Sequence, residues 1–96
     1  MSAYIIADVK ITNEAQMVEY RQWAHKAQQE FGVEPLVRGG GLNVLEGNWQ
    51  PQRIVVLKFR DREHAMAYYD SANYRHARKL REDAGSINMI VVDGVN

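Results

Sequence analysis

Apolar and polar positions alternate from Tyr4 to Ile11, with Ile5, Ala7, Val9 and Ile11 on one side and Tyr4, Ile6, Asp8 and Lys10 on the other. A period of two in a stretch rich in β-branched and aromatic residues predicts a first strand. The period then changes. Met17, Tyr20, Ala24, Ala27 and Phe31 recur every three or four residues behind Thr12 and Asn13, both good N-cap residues, and Gln16 stands where a capping box wants it. This predicts an amphipathic helix stopped by Gly32. Leu36 to Leu45 is extended in character but interrupted by Gly39-Gly40-Gly41, Ile54 to Phe59 is uninterrupted, and Gly47 to Pro51 is turn-like. A hairpin with a kinked first strand is the expectation.

Asp61 then caps a helix with Ala65, Met66 and Tyr69 as its apolar positions, and Ser71 caps a further segment carrying Tyr74, Ala77, Leu80 and Ala84 up to Gly85. Ser86 to Asp93 reads as the last strand. The order β-α-β-β-α-β defines an α+β, ferredoxin-like split βαβ unit with a four-stranded antiparallel sheet and helices on one face. The other face demands attention. Ile54 to Leu57 and Met89 to Val92 are apolar without alternation, so both sides of those strands seek burial. Helices of so short a chain cover only one side, and an isologous contact with a second copy is expected on the other.

Composition supports that expectation. A chain of 96 residues reads as one domain, residues 1–96, and buries only about two thirds of its unfolded surface. It has no cysteine for disulfides or thiolate metal sites, which leaves a partner chain as the source of extra stability. Twelve basic residues balance twelve acidic ones, so no global field attracts nucleic acid or an anionic membrane. The start, Met1 to Tyr4, lacks a basic region, and no apolar run reaches spanning length. A cytoplasmic protein follows as the default expectation.

The segments Tyr4-Ile5-Ile6-Ala7-Asp8-Val9, Leu36-Val37-Arg38-Gly39-Gly40, Leu45-Glu46-Gly47 with Trp49 and Pro51, and Tyr69-Asp70-Ser71-Ala72-Asn73-Tyr74 resemble, in that order and nearly end to end, the domain of unknown function 1330 family. The resemblance implies membership of the dimeric α+β barrel superfamily, a homodimer whose two sheets close a barrel. It implies no reaction, because similar folds include cofactor-free monooxygenases, lactone isomerases and haem enzymes.

Several residues carry candidate chemistry. Asp8 falls on the Tyr4 and Ile6 alternation, the face expected inside the barrel, where a carboxylate needs a partner. Arg38, on the neighbouring hairpin strand, is expected either to pair with it or to grip an anionic ligand. The glycine run lacks the spacing and the lysine of a phosphate loop, and a bulge or a close approach explains it better. Trp49 serves as a lid or as a dimer contact. Tyr69, Ser71 and Tyr74 cluster at a helix junction. Ser71 is first of all a cap, and the tyrosines are core-edge groups or hydrogen-bonding partners of a ligand. His25, His64 and His76 take solvent-facing helix positions without metal-ligand spacing, and the basic run from Arg75 to Arg81 reads as a solvated face. The expected protein needs no metal or cofactor and binds a small organic molecule; that it also acts on it, as a monooxygenase- or isomerase-like enzyme, is implied only by the fold resemblance. The alternative is a non-catalytic homodimeric binding or interaction protein.

Overall fold

The computed structural model describes residues 1–95. Its elements are β1 (Ala3–Ile11), α1 (Glu14–Phe31), β2 (Glu34–Arg38), β3 (Arg53–Phe59), α2 (Arg62–Tyr69), α3 (Ala72–Leu80) and β4 (Gly85–Asp93). The four strands form one antiparallel sheet in the order β2-β3-β1-β4. All three helices lie on one of its faces, the ferredoxin-like arrangement that the element order calls for. The thinnest dimension, 17 Å, is the depth of one sheet and one helical layer.

The alternation in β1 becomes the two faces directly. Ala3, Ile5, Ala7 and Val9 are buried under the helices. Their register partners Phe59, Leu57, Val55 and Arg53 on β3, and Val91, Met89 and Ile87 on β4, share that face. The core joins this layer to Met17, Ala24 and Ala27 of α1 and to Ala65, Tyr68, Tyr74 and Ala77 of α2 and α3. Alanines let the helices approach closely, while Phe59, Tyr68 and Tyr74 fill the space between them.

The N-cap side chains act as expected, but the capping box does not form: the Asn13 amide donates to the Ala84 carbonyl at 3.1 Å and the Gln16 side-chain amide donates to the Leu80 carbonyl at 3.0 Å. Asn13 accepts from the Gln16 amide at 3.2 Å, Asp61 from that of His64 at 2.8 Å, and Ser71 from that of Tyr74 at 3.2 Å. Gly32 closes α1 in the left-handed region at φ 60. Gly85 is required by space as well as by φ 152: a Cβ there would lie 1.9 Å from the Lys10 carbonyl oxygen, where β4 begins against the end of β1.

Three expectations change. The first hairpin strand ends at Arg38 and residues 39–52 form no strand. Past Arg38 only the Gly39 amide continues the pairing, to the Ile54 carbonyl at 2.7 Å, and Gly39 then turns the chain away at φ 71. In α2 the inward stripe is Ala65 and Tyr68, with Met66 exposed and Tyr69 half-buried, because the helix is rotated by one position from the expected face. His64 is not solvent-facing. Its Nδ1 accepts from the Arg60 amide at 3.2 Å and its Nε2 lies 2.8 Å from the Phe31 carbonyl oxygen, so the proton is on Nε2 and the ring ties α1 to α2.

Among the described residues no helix is long and apolar enough to cross a membrane. No three His, Cys, Asp or Glu side chains among them gather as a metal-ligand set.

Candidate functional site

On the helical side, α1 packs mainly on α3 and stands off from the β2–β3 edge of the sheet. The gap is a cleft of about 480 Å³, a size suited to a small organic molecule. Val9 and Ile11 of β1 with Val55 and Leu57 of β3 form its floor, and Met17, Tyr20 and Ala24 of α1 its wall. The remaining lining side chains are polar and exposed or half-buried, so they form the mouth: Arg21, Gln22, His25 and Gln28 from α1, Arg38 from β2 and Arg53 from β3. None of the lining residues is acidic.

Arg38 reaches this cleft through a β-bulge. Pro35 pairs with Leu57 and Val37 with Val56, so Leu36 is the extra residue and Arg38 comes opposite Val55. In an unbroken ladder Arg38 would stand opposite Ile54, the partner of Asp8 on the other face. The expected pairing of Asp8 with Arg38 is therefore corrected: the two lie on opposite sides of the sheet. Arg38 Nη2 instead donates to Gln28 Oε1 at 3.1 Å.

Arg53 follows two residues before Val55, on the same face. It lies across Gly39, where an added Cβ would be 2.7 Å from its Cγ and Nη1. Gly39 thus answers the expectation of a close approach, while a Cβ added at Gly40 or Gly41 would meet nothing within 4 Å among the described residues. Arg21 is paired with Glu14 at 2.5 Å. Among the described residues neither Arg38 nor Arg53 has a carboxylate at ion-pair distance.

Tyr20 backs the cleft. Its hydroxyl is 3.0 Å from that of the buried Tyr74, and burial, reinforced by Tyr74, pushes its ionisation far above the ordinary 10.0. Burial raises Tyr68 likewise. Both phenols stay neutral and belong to a group of packed rings behind the cleft, with Tyr68 and Tyr74 ring centres 4.8 Å apart and tilted by 35°.

The six candidate residues therefore separate. Arg38 lines the cleft and Tyr74 stands one hydrogen bond behind it. Tyr69 lies under the Arg78 guanidinium at 4.0 Å. Ser71 Oγ donates to the Tyr68 carbonyl at 2.7 Å while capping α3, so its hydrogen bonds are spent on backbone. Asp8 and Trp49 meet on the open face, where Trp49 Nε1 donates to Asp8 Oδ2 at 2.9 Å. Asp8 Oδ1 is buried there with no hydrogen-bond partner among the described residues.

Arg53 and Arg21 were missed in the sequence, and His25 was read only as solvent-facing, because a polar side chain ahead of an apolar strand or on a helix flank looks like solvated surface. The available signals were the two-residue period running back from Leu57 through Val55 to Arg53, and the helical offset of four from Met17 to Arg21 and from Arg21 to His25.

A family model described as Domain of unknown function (DUF1330) matches residues 2–95, and the chain belongs to that family. No curated protein matches it. Among solved structures it is similar to a protein of unknown function from Rhodopseudomonas palustris, with 14% identity over 99% of this chain and 83% of that one and a TM-score of 0.76. It is also similar to a dimeric ferredoxin-like protein of unknown function from Jannaschia sp. CCS1, at 11% over 98% and 100% with a TM-score of 0.71. An antibiotic biosynthesis monooxygenase is similar at 14% over the whole of both chains, with a TM-score of 0.59. At these identities the likeness shows the fold.

Proposed function

We propose that this protein is a homodimer, closed sheet to sheet as a dimeric α+β barrel, in which each protomer binds a small organic molecule in the cleft between α1 and the sheet. The observation that carries the binding function is the cleft itself: an apolar floor of suitable volume beneath convergent polar groups from three elements. The dimer is supported by the open face, where Ile90, Val92 and Val37 are 59%, 42% and 40% exposed around Ile6 and Val56. Apolar side chains in such a row mark a contact surface. Similar solved proteins are described as dimeric.

Catalysis without a cofactor is a second reading, favoured by His25 at the cleft mouth, an imidazole able to take or give a proton beside a bound molecule. The test is uptake of phenylnaphthylamine, a neutral dye that brightens in apolar sites. One saturable site per protomer is expected, abolished by Val55→Trp, which fills the floor. Absent saturable uptake, or uptake unchanged in a folded Val55→Trp variant, would overturn the reading.

A further inference from the structure

We infer that the cleft selects an amphiphilic organic anion, whose carboxylate or sulfonate head is held by Arg38 and Arg53 and whose apolar body lies on Val9, Val55 and Leu57. The inference rests on the cleft being the ligand site and adds the chemical class of what enters it.

Charge is the first ground. The chain as a whole is neutral, yet the cleft brings together three guanidiniums and no carboxylate. Glu14 offsets Arg21. Arg38 is steadied by Gln28, an uncharged acceptor that orients the guanidinium and leaves its charge uncompensated. Arg53 has no carboxylate at ion-pair distance among the described residues. Two uncompensated guanidiniums at the mouth of an apolar cleft attract an anion more strongly than the same groups in open water.

Placement is the second. Arg38 stands opposite Val55, and Arg53 precedes Val55 by two on the same face. The two are diagonal cross-strand neighbours, roughly 7–8 Å apart at the backbone, within reach of one shared head group for side chains of their length. Two backbone features bring this about independently. The bulge at Leu36 turns Arg38 from the open face to the cleft, and Gly39, left-handed and without a side chain, leaves room for Arg53. The apolar floor then calls for a hydrocarbon or aromatic body behind the head group, which inorganic phosphate lacks.

Two dyes of nearly the same shape test this on the intact protein: anilinonaphthalene sulfonate, which is anionic, and phenylnaphthylamine, which is neutral. The sulfonate is expected to bind about tenfold or more tightly, with an affinity that falls as salt rises, and to be displaced by octanoate but not by equal inorganic phosphate. Arg38→Gln and Arg53→Gln should each weaken the sulfonate about tenfold and leave the neutral dye unchanged, while Arg60→Gln, remote from the cleft, changes neither. Equal affinity for the two dyes, or sulfonate binding indifferent to both cleft arginines, overturns the anion selectivity alone. Failure of both dyes to bind overturns it together with the cleft as a ligand site. If an arginine variant does not fold, the salt dependence and the octanoate competition on the unsubstituted protein decide the matter, and a salt-insensitive sulfonate affinity counts against the inference.

Discussion

Trp49 and Asp8, one in the long connection after β2 and the other in the middle of β1, are joined by an indole N–H to carboxylate hydrogen bond of 2.9 Å. It fastens residues 39–52 to the open face of the sheet, helped by Gln52, which accepts from the Ile11 amide at 3.1 Å. With Oδ1 buried and unpartnered among the described residues, Trp49 supplies the carboxylate's side-chain donor. Trp49→Phe keeps the aromatic surface and removes that donor. A loss of about 1–2 kcal/mol is expected, read as a lower urea midpoint at fixed protein concentration with an unchanged slope. A midpoint equal to that of the unsubstituted protein would show that the bond carries no net stability.

Ile90 lies on the open face beside Ile6, while its neighbour Val91 lies beside Ile5 under the helices. A charge at the first position should act on assembly and at the second on folding. Ile90→Lys is expected to give one protomer's mass by light scattering with its helical circular dichroism retained, since an unpaired buried charge costs several kcal/mol. A dimer mass for this variant would contradict a sheet-to-sheet interface.

Tyr20 and Tyr68 ionise above their ordinary 10.0 in the folded protein because of burial. Unfolded tyrosine releases its proton near pH 10 and the folded chain retains it, so the stability these groups contribute is complete below about pH 10 and declines as pH rises further. The decline should be roughly 1 kcal/mol per tyrosine for each pH unit. Melting temperatures from pH 9 to 11 should fall less steeply in Tyr20→Phe and Tyr68→Phe. Parallel curves for variant and unsubstituted protein would refute the assignment.

Ser71 spends its hydroxyl on the Tyr74 amide and the Tyr68 carbonyl. Ser71→Ala should lower stability by about 1 kcal/mol through loss of the cap and leave dye binding in the cleft untouched. Lost binding in a variant that folds normally would restore Ser71 as a site residue.

The sequence by itself determined what depends on neighbours along the chain. Alternation in β1 separates Ile5 from Ile6 because consecutive strand side chains point to opposite faces. Asn13, Asp61 and Ser71 mark helix starts because their side chains reach the amide three residues on. The apolar, non-alternating β3 and β4 announce a second face seeking cover. The tertiary structure alone decided which face Arg38 serves. A single extra residue at Leu36 reverses the side of everything after it, and nothing local sets that bulge: it follows from how β2 registers against β3, with the Gly39 amide bonded to the Ile54 carbonyl at 2.7 Å. Pairing Asp8 with Arg38 holds for a regular ladder and fails for the real one. The cleft was equally hidden, because its walls come from α1 and three strands distant in sequence, and a gap exists only once helix and sheet are packed.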